Sequence, residues 1–119
     1  MKSFVVVDDH EFLLDAISYM VEINGHFVSG KYNNFQEPYE FYKKGEESDY
    51  IIVDFYSKKS NAIELVQSLR KLENCPFIVV ISYVDEKEDV EKIEKACSPD
   101  LFIRKSKLKE GLIKLFGDV

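Results

Sequence analysis

Apolar positions fall along this chain in two periods that take turns. Phe4-Val5-Val6-Val7 is a short β-branched and aromatic run stopped by Asp8-Asp9, and it reads as a buried strand. From His10 the period lengthens: Phe12, Leu13, Ala16, Ile17, Met20 and Val21 mark one helical face, and Asn24-Gly25 offers its C-terminal cap. The mixed stretch from His26 to Gly30 predicts a weaker strand at a sheet edge. Asn33-Asn34 supplies a turn and a cap. Glu37-Pro38 then opens a short helix that carries Tyr39, Phe41 and Tyr42 and ends near Gly45. Tyr50 to Val53 is a third strand, closed by the single carboxylate Asp54. Ser60 or Asn61 caps a helix with Ala62, Leu65, Val66, Leu69 and Leu72 on one face. Past Pro76, Phe77 to Ile81 is the most apolar run and a central strand, ending on Ser82. Asp85 to Cys97 is a charged helix with one thin stripe, Val90, Ile93 and Cys97. Pro99-Asp100 turns into a fifth strand, Leu101-Phe102-Ile103, closed by Arg104-Lys105. Ser106 caps a last helix with Leu108, Leu112, Leu115 and Phe116 on one face.

Five strand-then-helix units with short connections demand a parallel sheet, because each crossover returns the chain to the same end. Right-handed crossovers place helices on both faces. The expected fold class is therefore α/β. Composition changes this picture little: 119 residues fit one domain, and 45% hydrophobic with 32% charged residues is ordinary for a soluble protein. A net charge of −6 argues against a nucleic-acid surface, which needs a basic patch. Lys105, Lys107, Lys109 and Lys114 are the one local exception. Cys75 and Cys97 have no metal-ligand spacing, and their use fits a reducing cytosol without a disulfide. No run resembles a signal peptide or approaches the ~20 apolar residues that span a bilayer. The expectation is a cytoplasmic domain with no membrane partner.

The chemistry collects at the strand exits. In an open α/β sheet the carboxyl ends of the strands form the ligand edge, near the point where strand order reverses. Here the exits of strands one, three, four and five carry Asp8-Asp9, Asp54, Ser82 and Lys105. Any one of these is explained as a solvated strand-end residue. The four together are not so easily explained. Clustered carboxylates repel and raise one another's pKa unless a cation joins them. A hard divalent cation such as Mg²⁺, which takes oxygen ligands, is the natural partner. Lys105 adds a fixed positive charge and Ser82 a hydrogen-bond donor. Such a set suits phosphoryl transfer to a carboxylate oxygen.

The motifs VVVDDH, IIVD, VVIS and FIRK, at the first, third, fourth and fifth strands, resemble the receiver domain of bacterial two-component response regulators. The likeness covers the whole chain, and VVVDDH followed by a helix is similar to the subgroup with helix-turn-helix output domains. The resemblance implies a flavodoxin-like (CheY-like) three-layer (βα)5 sandwich with its sheet in the order 2-1-3-4-5. It implies one receiver domain over residues 1–119, with no effector domain among them. Asp54 is then the phosphoacceptor. Asp9 and Asp54 ligate Mg²⁺ directly, the Tyr56 backbone carbonyl is a third protein ligand, and Asp8 acts through a coordinated water. Lys105 pairs with the phosphoryl oxygens, Ser82 is the switch hydroxyl and Phe102 the aromatic switch residue. The donor is a sensor histidine kinase or a small phosphodonor, and phosphorylation brings a homodimer and controls an output such as transcription. DNA is met only through an effector domain. The domain is a phosphoacceptor that promotes its own transfer and slow hydrolysis, and is not otherwise an enzyme.

The chain departs from the family's pattern in four places. Lys58 stands where a proline is usual, Ala62 where a glycine is, and Tyr83 where a small residue follows the hydroxyl. Ser98-Pro99 replaces a Gly-Ala pair before the fifth strand. The unusual loop and Tyr83 support a second reading, a pseudo-receiver that binds partners without phosphorylation. A flavin-binding domain of similar topology fits less well, because acids follow strand one where a phosphate loop belongs. His10 reads as helix-start chemistry, His26 as an ordinary strand residue, and the charged fourth helix as a loosely held reporter of a switch.

Overall fold

The structure, a computed structural model, describes residues 1–57 and 60–118, with only the backbone of Ser57. Five parallel strands form one sheet: β1 (Ser3–Val7), β2 (Phe27–Tyr32), β3 (Tyr50–Asp54), β4 (Phe77–Ser82) and β5 (Leu101–Arg104). Their order is β2-β1-β3-β4-β5, the reversal falling between β1 and β3. The helices are α1 (Glu11–Ile23), α2 (Gln36–Lys43), α3 (Ile63–Arg70), α4 (Lys87–Cys97) and α5 (Leu108–Gly117). The expected α/β class and strand order both hold.

Two cores flank the sheet, because successive strand side chains point to opposite faces. Val5, Val7, Ile51, Val53, Ile78 and Val80 face α2, α3 and α4, and Ile93 and Cys97 of the expected stripe pack there, while Val90 is buried at the edge of the sheet. Phe4, Val6, Ile52, Val79 and Ile81 face α1 and α5, meeting Leu14, Ile17, Val21, Leu112, Leu115 and Phe116. A strand buried on both sides must be apolar throughout, which is why β1, β3 and β4 carry unbroken runs. Cys75 and Cys97 are free thiols. Among the described residues no helix is long and apolar enough to cross a membrane.

Several local expectations need correction. The buried stripe of α1 is Leu14, Ile17, Ser18 and Val21, so Phe12, expected on the packed face, stands 84% exposed. Ser18 is tolerated inside because its hydroxyl donates to the Leu14 carbonyl at 2.7 Å. β2 begins at Phe27 and runs to Tyr32, so His26 lies outside it. The His26 ring packs beside Phe4 and Phe116, and its Nδ1 accepts the Lys2 N–H. Ser106 does not cap α5: its hydroxyl donates to Asp85 at 2.7 Å, and a 3-10 turn over Lys105–Lys107 leads into the helix. Ala62 is the N-cap of α3, with Asn61 one residue before it accepting the Ile63 N–H, and Asn34 accepts the Glu37 N–H at the start of α2.

Candidate functional site

Each site residue is placed by a strand end. Asp8 follows β1 and is held by the sheet, its N–H donating to the Tyr32 carbonyl at the end of β2. Asp54 is the last residue of β3, paired with Ile81, and the next N–H, from Phe55, reaches the Ile81 carbonyl at 2.8 Å. Lys105 follows β5 and turns into the sheet end through the 3-10 turn. The result is a charged group of unusual depth: Asp8 is 1%, Asp54 4% and Lys105 8% exposed.

The geometry is close. Lys105 Nζ lies 3.0 Å from Asp54 Oδ2 and 3.5 Å from Asp8 Oδ2, as ion contacts off the hydrogen-bond axis. One donor atom from each of Asp8, Asp9, His10 and Asp54 lies within 4.8 Å of the others. Asp8 Oδ2 and Asp9 Oδ1 are buried without a hydrogen-bond partner among the described residues. Among the described residues Lys105 is ion-paired with Asp54 and Asp8, and the Asp8 and Asp9 oxygens without a hydrogen bond are of the kind that a hard divalent cation takes. The residues therefore fit the Mg²⁺ that the family resemblance implies.

Burial pushes the Asp54 carboxyl above its ordinary pKa, and the Asp8 carboxylate adds to the rise. The Lys105 ammonium and a hydrogen bond from the Tyr56 N–H oppose it without cancelling it.

The remaining candidates are arranged less closely. Ser82 ends β4 on the same rim, fully buried, its Oγ accepting the Val84 N–H at 3.3 Å. Phe102 sits in β5 opposite Val80, half-buried against the α2–α3–α4 core. Tyr56 begins a two-rung antiparallel hairpin, Tyr56–Ser57 with Ser60–Asn61, which the sequence reading missed. The hairpin is closed by the Ala62 N–H on the Phe55 carbonyl at 2.8 Å, with the Ala62 methyl fully buried where a glycine is usual. Lys58 lies outside the described residues. Tyr83 covers the lysine: its ring centroid is 4.4 Å from Lys105 Nζ. His10 reads in the sequence as helix-start chemistry. It does start α1, but its ring lies against Asp8 and Asp9 and does not cap the helix.

With this geometry in place, comparison with solved structures is decisive for the fold. A receiver domain of the CheY-like type from Methanospirillum hungatei superposes with a TM-score of 0.76 at 19% identity, over 99% of this chain and 95% of that one. The signal receiver domain of the response regulator NarL from Mycobacterium tuberculosis gives 0.78 at 17%, over 98% and 96%. The fold is that of a response-regulator receiver domain. A BeF3-activated DrrB receiver domain agrees, with a TM-score of 0.73 at 17% identity over 100% and 99% of the two chains. No family model matches the sequence, and no curated protein does. The receiver fold thus persists here in a sequence far from its structural neighbours.

An open groove of about 930 Å³ runs along the free edge of the receiver sheet, between α4 and α5. Val90, Glu94, Phe102, Arg104, Lys107 and Leu115 are among its walls, and none of the three carboxylates is.

Proposed function

We propose that residues 1–119 form a phosphorylation-controlled receiver of a two-component system, with Asp54 as phosphoacceptor. The observation that carries this reading is the buried group of Asp8, Asp9 and Asp54 set against Lys105 at the carboxyl ends of the strands. Asp9, Asp54 and the Tyr56 carbonyl would hold Mg²⁺, with Asp8 reaching it through water, and the bound ion would supply positive charge to offset that of the incoming phosphoryl group. An Asp54 carboxylate oxygen forms the new bond to phosphorus. The bond from phosphorus to a kinase histidine nitrogen, or to the oxygen of acetyl phosphate, breaks, and the leaving group departs with its electron pair. Lys105, already within 3.0 Å of the acceptor, pairs with the phosphoryl oxygens. Ser82 turns toward the phosphoryl group, Phe102 follows it inward, and the face of α4, β5 and α5 changes. That face addresses a homodimer or a downstream output, including a helix-turn-helix domain that regulates transcription. The domain itself does not bind nucleic acid, and its setting is the cytoplasm.

The test is incubation with acetyl phosphate and Mg²⁺, read by intact mass. The reading expects one phosphoryl adduct on the wild type and none on Asp54→Asn; no adduct on the wild type overturns it.

One observation favours a second reading. The Tyr83 ring over Lys105 occupies approach space that the family keeps open, as a pseudo-receiver permits. Mg²⁺ titration separates the two. Binding that Asp9→Ala abolishes supports the phosphoacceptor, and no binding supports the pseudo-receiver.

A further inference from the structure

One atom capable of binding metal stands in the acidic cluster and has no part in the reading above. His10 precedes α1 with an extended backbone (φ −89°, ψ 104°), and its carbonyl accepts the Leu14 N–H at 2.9 Å, which starts the helix. Its own N–H donates to Asp8 Oδ1 at 2.9 Å, so the turn is fixed by the carboxylate it flanks. The side chain stays largely exposed but turns its Nδ1 edge to the acids. Nδ1 lies 3.1 Å from Asp9 Oδ1 and 3.2 Å from Asp8 Oδ1.

Two ligands at right angles on one ion, with bonds of about 2.1 Å, stand about 3.0 Å apart. The two His10 separations are of that size, and Asp54 completes a set within 4.8 Å. A second observation points the same way. Asp8 Oδ2 and Asp9 Oδ1 have no hydrogen-bond partner among the described residues, although the Asp8 side chain is fully buried and that of Asp9 only 8% exposed. Asp9 Oδ1, buried without a hydrogen bond beside the imidazole nitrogen, and Asp8 Oδ2, met only by Lys105 Nζ at 3.5 Å, make with Nδ1 a mixed oxygen–nitrogen donor set.

We infer that His10 is a ligand of the cation held by Asp8, Asp9 and Asp54, and that this site prefers a nitrogen-accepting divalent ion such as Mn²⁺ or Co²⁺ over Mg²⁺. The inference rests on the proposed reading of the cluster as a cation site and adds its metal class. Imidazole suits the later first-row ions, whereas Mg²⁺ takes oxygen and keeps its water. Carboxylates alone already favour Co²⁺ over Mg²⁺ along the same series. The signature of His10 is therefore the part of that preference that disappears with its ring.

The alternative is that Nδ1–H only hydrogen-bonds to the two carboxylates, and the full chain can distinguish them. Electron spin-echo measurements on the Mn²⁺-loaded wild type should show coupling from a directly bound ¹⁴N, absent in His10→Ala. Calorimetric titration with Mg²⁺, Mn²⁺ and Co²⁺ should show His10→Ala weakening Co²⁺ by about tenfold or more while Mg²⁺ changes less than about threefold. The side chain is 61% exposed, so the variant is expected to fold, and a thermal melt checks that it does. Bound Mn²⁺ without ¹⁴N coupling, or equal weakening of all three ions, overturns the assignment of His10 and leaves the cation site standing. Failure of the wild type to bind any of the three ions overturns both.

Discussion

Asp54 carries a cost that its surroundings only partly offset. Burial raises its pKa, so the folded protein holds the Asp54 proton more tightly than the unfolded chain does. Between the ordinary carboxylate value, about 3.9, and the raised one, the native state binds more protons, and stability falls as pH rises. The contribution of Asp54 is thus most favourable below the ordinary value and is lost as pH climbs through the folded one. Asp54→Asn removes the titration. In metal-free buffer the melting temperature of Asp54→Asn relative to that of wild type should rise from about pH 4 to pH 7. A gap that closes with rising pH contradicts the burial account. The proposed function gives that cost a reason, since an amide in place of Asp54 offers phosphorus no carboxylate oxygen.

At the scale of elements, two local devices can be tested. Ser98 ends α4 in the left-handed region at φ 48°, where a side chain is strained and glycine is not. Ser98→Gly should raise stability by about 0.5–1 kcal/mol in chemical denaturation, the usual yield at such a position. At the opposite end of the sheet, Asp49 accepts the Ser3 N–H at 2.8 Å and the Ser3 hydroxyl at 3.1 Å, latching β1 to the start of β3. The Ser3 N–H lowers the Asp49 pKa, so this contribution is present above the ordinary carboxylate value and lost as pH falls through the folded one, opposite in sign to Asp54. Asp49→Ala should cost about 0.5–1 kcal/mol near pH 7, less in acid, since the latch is exposed to solvent.

The elements also show what the sequence made legible. β1, β3 and β4 were plain because strands buried on both faces leave no room for polar residues. The stripe of α4 was plain because its other positions, Ala96 apart, are charged. In α1, apolar side chains surround most of the helix, so periodicity alone did not fix which stripe packs, and Phe12 was placed on the wrong side. The hairpin after Asp54 left no signal, because two rungs of polar backbone pairing need no hydrophobic pattern. Asp8, Asp9, Asp54 and Lys105 were readable as polar residues closing apolar runs. His10 was set aside on the expectation that Mg²⁺ takes oxygen, and its proximity to the carboxylates depends on a turn that only the structure shows.

At the scale of the whole molecule, the reactive rim and the groove between α4 and α5 are joined by β4 and β5. Ser82 and Arg104 are paired across these strands, and Phe102 lies two residues back from that pair and lines the groove. A phosphoryl group that draws Ser82 toward Asp54 acts at the end of this pair of strands. Hydrogen exchange before and after treatment with acetyl phosphate should change chiefly in α4, the 82–86 loop and β5, while β1 and β3 keep their protection. An unchanged α4 and β5 on a phosphorylated protein removes the switch from the account and leaves the acceptor.

The acceptor itself is tested most directly by locating the phosphoryl group. The protein is treated with acetyl phosphate and Mg²⁺, the acyl phosphate is reduced with borohydride, and the modified residue is read by peptide mass spectrometry. The account predicts a single reduced side chain at Asp54, absent when Asp54 is replaced by Asn. Modification at Asp8 or Asp9 in place of Asp54, or none at all, would contradict it.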